Sequence, residues 1–409
     1  MYSIHISDGK VSEGTTRLNL IVLFLAHALV GAQLGLYFVI SGLAGQMLAG
    51  NKCFSTLPIT MIIIGSMGSA PFHAYLTQNF NRRISFFSGV FGGLIGCIFC
   101  VIGLVFQSFL IFLIGSLFHG IYMAAQAFYR FAAVESVKEK YKAHAISFVM
   151  IGGLFAAIIG PQTAKYTSFM LLEIPFVGGY LAAIIMNAVG GLLFFFFSST
   201  PNIHVNKRKY LLSRFAIILS NRNVIIAIVC ATIAYSLMNL VMTSTPLAVI
   251  GCGYSRSDAA NIVTAHALSM YLPSFFTGYL ISRYGTRTIM SFGTVFIGLA
   301  AVLGFWESDL KNFYADLILL GVGWNFLFVG ATYLLTSSCD TENKIFIQGV
   351  NDFCVFGTVA LASLTSGLIL NCSSASSEIG WAVVNLSVLP FVALSALMII
   401  SIRPRTILT

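Results

Sequence analysis

The sequence predicts an all-α polytopic membrane protein with 12 transmembrane helices. Hydrophobic residues make up 58% of the 409-residue chain, charged residues only 9%, and the mean hydropathy is +0.91. No soluble fold could bury so much apolar surface. A sequence repeat at an offset of 204 residues further predicts that the chain consists of two related halves.

Each predicted helix is an apolar stretch of the length that a bilayer requires, which is roughly 20 residues for a hydrocarbon layer of about 30 Å. We number these stretches α1 to α12, and they lie near 18–46, 56–78, 84–106, 108–133, 144–168, 174–198, 223–250, 257–281, 287–305, 310–337, 345–371 and 380–402. The first is too long for a signal-peptide core and is read as a retained helix. We expect an N-terminal half of residues 1–198, a cytoplasmic linker of residues 199–222 and a C-terminal half of residues 223–409.

The distribution of lysine and arginine predicts the orientation. The chain tails and even-numbered connections hold 17 of the 22 basic residues, and the odd-numbered connections hold four. Short positively charged loops stay on the cytoplasmic side, so both termini should be cytoplasmic. The net charge of +9 is therefore mainly an orientation signal, and we expect no nucleic-acid partner. Short loops and compact size point to a bacterial cytoplasmic (inner) membrane.

The sequence repeat falls on a short basic turn after the second helix of each half. Residues 74–83 read AYLTQNFNRR, and residues 278–287 read GYLISRYGTR. This turn resembles the G-x-L-x-D-R-x-G-R-R signature of the major facilitator superfamily of secondary transporters. The second copy keeps Gly278, Leu280, Arg283, Gly285 and Arg287. The first copy keeps the arginine pair Arg82 and Arg83.

Both copies depart from the signature. Ser282 stands at the aspartate position of the second copy, and the first copy has Ala74, Gln78 and Asn81 at its glycine, aspartate and second glycine positions. The resemblance still implies the superfamily fold, with two pseudo-symmetric six-helix halves that rock around a site at the membrane midplane. It leaves the family's charge relay at this turn in question.

Polar residues at membrane depth are costly in lipid and usually face a bundle interior or a cavity. On α4 they recur every three to four residues and so share one helical face. Similar residues occur on α1, α7 and α10, helices that line the central path in the family that the turn resembles. The predicted substrate-path residues are Gln33, Tyr37, His119, Tyr122, Gln126, Tyr235, Asn239, Trp324 and Asn325.

A charged pair is the predicted gate. Asp352 on α11 is taken as the only carboxylate well within a span, and a buried acid requires a partner. Arg130 on α4 is the natural candidate, although it could instead extend its charge to the membrane surface. His27 and His266 are further gate or coupling candidates, with packing as the alternative for each histidine.

The candidate residues within the spans include one arginine and several histidines but a single aspartate. This excess of basic groups favours an anionic solute such as a carboxylate or a siderophore-like iron chelate. We expect secondary active transport of a small organic solute, proton-coupled through His119 or Asp352, with uptake favoured. The alternative is a proton-driven multidrug or metabolite exporter, because Gly160 and Pro161 on α5 resemble part of a motif that the superfamily's exporters carry.

The remaining alternatives are a non-transporting receptor and an intramembrane enzyme. No catalytic motif is present in the sequence, so we expect no enzyme activity. The eight cysteines show no metal-binding spacing, and neither a metal nor another cofactor is expected. The expected partners are a small-molecule substrate, protons and the lipid bilayer, and the expected state is a monomer.

Overall fold

The computed structural model describes residues 13–50, 54, 57–167, 174–199, 218, 220–306, 308–339, 343–370 and 376–402. All regular secondary structure in these residues is helical. The predicted linker 199–222 lies almost wholly outside the described residues, as do both ends of the chain.

Six spans form the N-terminal half. They are α1 (Glu13–Leu29 and Ala32–Leu48), α2 (Leu57–Asn79), α3 (Arg82–Val105), α4 (Phe109–Ala127 and Tyr129–Glu135), α5 (Lys142–Thr167) and α6 (Val177–Leu193). The C-terminal half repeats this arrangement. Its spans are α7 (Arg222–Gly251), α8 (Arg256–Tyr271 and Ser274–Tyr284), α9 (Thr286–Trp306), α10 (Leu310–Ser338), α11 (Lys344–Leu368) and α12 (Ser377–Leu386 and Leu389–Ile400).

The predicted all-α polytopic architecture is confirmed. Among the described residues, ten helical stretches are long and apolar enough to cross a membrane. The other two predicted spans are α6, a shorter apolar helix, and α8, which is interrupted at Leu272 and Pro273.

Side chains from other helices bond to the backbone at two of the helix breaks. Proline has no N–H and ends the regular ladder of α8 at Pro273. Asn325 of α10 fills this break, because its Nδ2 donates to the Met270 carbonyl at 2.6 Å and its Oδ1 accepts from the Thr277 hydroxyl at 2.8 Å. At the break in α1 around Val30 and Gly31, the Val30 carbonyl accepts the Gln33 N–H at 3.2 Å and also the Tyr122 hydroxyl of α4.

Small residues bring helices close together, as is common within membranes. A β carbon on Gly120 of α4 would lie 2.4 Å from the Gly65 carbonyl carbon of α2. The Ser66 hydroxyl donates to the Gly120 carbonyl at 3.0 Å across the same contact. The α2–α4 packing therefore depends on the absence of side chains at both glycines.

The two halves meet closely at the end of the bundle that carries both basic turns, here called the basic end (residues 81–83 and 285–287). A β carbon on Gly278 of α8 would lie 2.8 Å from the Ala143 carbonyl oxygen of α5. A β carbon on Gly349 of α11 would lie 2.6 Å from Cβ of Ala74 on α2. The α5–α8 and α2–α11 contacts thus close this end.

We predict that Gly120→Ala destabilises the protein by about 1–3 kcal/mol, because the new methyl group has no room between α4 and α2. The matched control is Gly68→Ala, since a β carbon at Gly68 meets nothing within 4 Å. Thermal unfolding of the detergent-solubilised protein measures both. Equal melting temperatures for the two variants would contradict the close α2–α4 packing.

Candidate functional site

A cavity lies between the two halves. Its accessible volume is about 50 Å³, enough for only one or two water molecules. It is lined by His27, Leu34, Met123, Gln126, Ala127, Arg130, Met150, Tyr235, Tyr271, Trp324, Phe328, Asp352, Val355 and Phe356. The cavity is therefore too small for an organic solute in this structure, and such a solute could bind there only if the halves moved apart.

A buried ion pair joins the halves beside this cavity. Arg130 of α4 donates from Nη2 to Oδ1 of Asp352 on α11, and the two residues are 6% and 1% exposed. Asn351 Nδ2 donates to the same carboxylate oxygen at 2.8 Å. The Arg130 guanidinium also lies 4.4 Å from the ring centre of Phe328, a cation–π contact. The contact predicted between Arg130 and Asp352 is thus present.

A second arginine connects the halves at the basic end. Arg82 donates from Nε and Nη2 to the two carboxylate oxygens of Glu135, at 2.7 and 2.5 Å. Its Nη2 also donates to Gln348 Oε1 of α11 at 2.7 Å. Gln348 lies one helical turn before Asp352, so α11 accepts one buried arginine from α3 and one from α4.

The second copy of the basic turn makes no such connection. Arg283 is exposed and donates to the Tyr279 hydroxyl of its own helix at 2.5 Å. Arg287 is exposed as well, and Gly285 adopts φ +84°, a left-handed conformation that favours glycine. Arg83 of the first copy contacts the Phe195 ring at 5.4 Å. Of the arginines in the two turns, only Arg82 reaches the other half.

The C-terminal half covers the cavity with aromatic rings. Trp324 and Phe328 stack at 4.9 Å on successive turns of α10, and Tyr235 of α7 packs edge-on against Phe328 at 5.2 Å. Tyr271, at the break in α8, contacts Trp324 at 6.0 Å. Tyr271, Phe328 and Phe356 were not predicted, because a single aromatic residue in an apolar helix does not stand out from its neighbours in hydrophobicity. The i, i+4 spacing of Trp324 and Phe328 is the signal that could have identified Phe328.

Several polar atoms at the cavity have no hydrogen-bond partner in the part of the chain that the structure describes. They are His27 Nδ1, Arg130 Nε, Trp324 Nε1 and Asp352 Oδ2. Buried polar groups are normally paired, and unpaired ones at a cavity are candidates for contact with a ligand. Together they offer at least two N–H donors and one carboxylate acceptor beside the aromatic rings.

Other predicted path residues form a separate buried network inside the N-terminal half. The Tyr37 hydroxyl donates to Gln33 Oε1 at 2.8 Å, and Asn187 Nδ2 donates to the same oxygen at 2.6 Å. The His119 ring lies 3.9 Å from the Tyr37 ring, and its Nε2 is 3.6 Å from Cys97 Sγ. This network does not line the cavity between the halves.

Three more predicted residues also lie away from the cavity lining. Asn325 seals the break in α8, Asn239 accepts from the Thr243 hydroxyl at 3.3 Å, and His266 donates from Nδ1 to the Leu317 carbonyl at 2.7 Å. Of the nine predicted path residues, Gln126, Tyr235 and Trp324 line the cavity. Tyr122 contacts it indirectly, because its hydroxyl donates to Gln126 Oε1 at 3.1 Å.

A second buried carboxylate, not named among the predicted site residues, lies on α10. Asp316 of α10 is 0% exposed. Packing from the neighbouring helices α9 and α12 covers its side chain. No group of three or more histidine, cysteine, aspartate or glutamate residues suited to a metal ion occurs among the described residues.

Comparisons with known proteins agree with this architecture. A family model described as Major Facilitator Superfamily matches residues 225–407. The riboflavin transporter RfnT of Brucella anthropi is 35% identical over 397 residues, covering 95% of this chain and 97% of that protein. YdeG of Bacillus subtilis, an uncharacterized transporter of the major facilitator type, is 28% identical, covering 96% of this chain and 95% of that protein.

Solved structures share the fold at low sequence identity. The transporter FucP in its outward conformation has a TM-score of 0.72 at 11% identity, covering 93% of this chain and 98% of that one. A bacterial homologue of the iron transporter ferroportin, in its outward-facing state, has a TM-score of 0.71 at 15% identity, with the same coverage of 93% and 98%. At these identities the likeness supports the fold alone.

We predict that Asp352→Ala lowers the stability of the protein by about 3–5 kcal/mol, because it leaves Arg130 buried without its counter-ion. The double variant Arg130→Met/Asp352→Leu should recover most of this loss, since it removes both charges. Glu139→Ala is the matched control, because Glu139, which pairs with Lys142, has a side chain that is 56% exposed. Melting temperatures in detergent measure all three. A wild-type melting temperature for Asp352→Ala would contradict a stabilising buried pair.

Proposed function

Because this chain belongs to the major facilitator superfamily, we propose that it is a secondary transporter of a planar heteroaromatic solute of the flavin type. The solute would bind in the cavity between the two halves. The observation that carries this proposal is the set of aromatic rings at that cavity, together with unpaired polar groups beside them.

The aromatic rings suit a flat ligand. Tyr235, Tyr271, Trp324 and Phe328 come from three helices of the C-terminal half and pack against one another at 4.9 to 6.0 Å between ring centres. A fused heteroaromatic ring gains contact area and favourable stacking from such a surface. The similarity to a riboflavin transporter agrees with this chemistry.

The polar groups suit the edge of such a ring. A flavin carries an imide edge with one N–H donor between two carbonyl acceptors. Asp352 Oδ2 is positioned as an acceptor, whereas Arg130 Nε and Trp324 Nε1 are donors. Groups that are unpaired in the closed cavity would gain partners when the ring binds, and this gain favours substrates with a matching edge.

Pairing of Arg130 weakens the argument for an anionic solute. That argument counted one arginine and several histidines against a single aspartate. Asp352 pairs with Arg130 in this structure, which leaves only the histidines as a source of excess positive charge. The cavity therefore favours a neutral ring system over a carboxylate or ferric chelate.

Transport would proceed by rocking of the halves, with residues 199–222 as their linker. The Arg130–Asp352 pair and the Arg82–Glu135–Gln348 cluster join the halves on the same side of the cavity. We propose that they hold the basic end closed and separate when the cavity opens there. His27 would contact the solute, and His266 would remain a coupling candidate outside the cavity.

The orientation and energetics complete the proposal. Both termini and the basic end would face the cytoplasm of a bacterium, and the protein would act as a monomer in the inner membrane. Uptake coupled to protons is the favoured direction. Proton-driven export of a metabolite or drug is the alternative, and a binding-only receptor would bind the same solute without accumulating it.

We predict that riboflavin raises the melting temperature of the purified protein, because a ligand that binds only the folded state stabilises it. Trp324→Ala should weaken binding by roughly 10-fold or more, in line with the cost of removing one stacking partner. The matched control is Trp306→Ala, because Trp306 is 76% exposed and does not line the cavity. Uptake of riboflavin into proteoliposomes under an imposed pH gradient then tests transport.

A panel of carboxylates, ferric chelates and cationic drugs distinguishes the alternatives. Stabilisation by anions alone would favour the anion transporter, and stabilisation by cationic drugs alone would favour the exporter. Either result, without a response to riboflavin, would overturn the flavin proposal. Riboflavin binding without uptake or efflux in proteoliposomes would indicate a receptor.

A further inference from the structure

A buried acid lies outside the cavity and takes no part in the proposed solute site. Asp316, near the start of α10, is 0% exposed. Neither of its carboxylate oxygens has a hydrogen-bond partner among the residues that the structure describes. It forms no ion pair with them either. Such surroundings strongly disfavour an ionised carboxylate.

One other unpaired polar group shares its environment. Asn385 of α12 is also 0% exposed, and its Oδ1 lacks a partner in the same described regions, while its Nδ2 donates to the Trp381 carbonyl at 3.1 Å. Gly304 of α9 makes room for both side chains. A β carbon there would lie 2.4 Å from Asp316 Oδ2 and 2.5 Å from Asn385 Cγ. The acid and the amide thus occupy one small space between α9, α10 and α12.

Apolar and uncharged groups surround this space. Phe313, one turn before Asp316, packs against Trp381 of α12 at 4.9 Å. From α8, His266 reaches the adjacent Leu317 carbonyl, but it forms no ion pair with Asp316. Glu378 lies exposed in the first turn of α12. In the described parts of α9, α10 and α12, no positive charge contacts the acid.

A proton on Asp316 would neutralise the buried carboxylate and provide a hydrogen-bond donor in the space that it shares with Asn385. A protonated Asp316 carries one O–H donor, and Asn385 Oδ1 is an acceptor with nothing to accept. A sodium ion would require several oxygen ligands, whereas the described pairings provide one carboxylate and one amide oxygen. We propose that Asp316 and Asn385 form a proton-binding site in the C-terminal half, separate from the solute cavity.

The position of the Asp316–Asn385 site in the fold indicates a role in proton coupling. It lies toward the end of α10 opposite the basic end, eight residues before Trp324. When α9 or α12 shifts relative to α10, water reaches Asp316 and its proton leaves as hydronium. The site thereby supplies the proton-linked step of the transport proposed above, on which this role rests. Whether Asp316 holds a proton in the folded protein can be measured without the solute.

The first test is the pH dependence of stability. Folded protein keeps the proton on Asp316, whereas the unfolded carboxyl loses it above about pH 4. Wild-type stability should therefore fall as pH rises above that value, by tenfold in the folding equilibrium constant per pH unit, until the folded site also ionises. Asp316→Asn, which mimics the protonated acid, should melt above wild type at pH 8, and the difference should shrink toward pH 5.

The matched control is Asp309→Asn on the same helix. Asp309 is exposed and caps α10, a role that asparagine fills equally well, so its pH profile should follow wild type. An Asp316→Asn profile parallel to wild type would overturn the proposal. If that variant fails to fold, infrared spectra of the wild type remain decisive. They should show the carbonyl band of a protonated carboxylic acid at pH 8, and absence of the band would overturn the proposal.

The second arm tests the transport role. In proteoliposomes, Asp316→Asn should retain riboflavin exchange between the two sides of the membrane but lose accumulation driven by a pH gradient. Accumulation equal to wild type would refute the coupling role. If wild-type protein moves no riboflavin, the flavin proposal fails, while the stability and infrared measurements still decide whether Asp316 holds a proton.

Discussion

The buried ion pair between Arg130 and Asp352 is the interaction on which the arrangement of the site depends. It joins α4 to α11 and therefore one half of the molecule to the other, beside the cavity. A charge at low dielectric is costly unless it is paired, so the two halves gain stability from staying in contact while both charges are buried. The same cost makes the contact reversible, because water entering an opened cavity can solvate both groups.

The other features of the site follow from this constraint. The ring centres of Phe328 and Phe131 lie 4.4 and 4.6 Å from the Arg130 guanidinium, and the ion pair is buried from water. Arg82 adds a second connection to α11 through Gln348. The resulting asymmetry is informative: the first basic turn departs further from the family signature, yet only this copy provides an arginine that crosses between the halves.

Sequence patterns could predict much of the fold. Helix length and apolar composition follow directly from the thickness of a bilayer, and the contact of Arg130 with Asp352 follows from the requirement that a buried acid be paired. The cavity lining was only partly predictable. Asn325 shares the polar spacing of a path residue, but the proline break in α8 consumes its hydrogen bonds. Tyr271 reaches the cavity because of that break, and Asp316 is buried by helices distant in sequence. Such effects depend on tertiary packing, which periodicity does not record.

We propose that the two halves separate at the basic end so that a flavin-type solute can leave or enter the cavity there. Spin labels at positions 140 and 283, exposed sites in the α4–α5 connection and at the end of α8, would measure this separation by pulsed electron resonance. Our account predicts a short distance in the closed state and a second, longer population whose weight changes when riboflavin is added. A single distance that riboflavin leaves unchanged would contradict it.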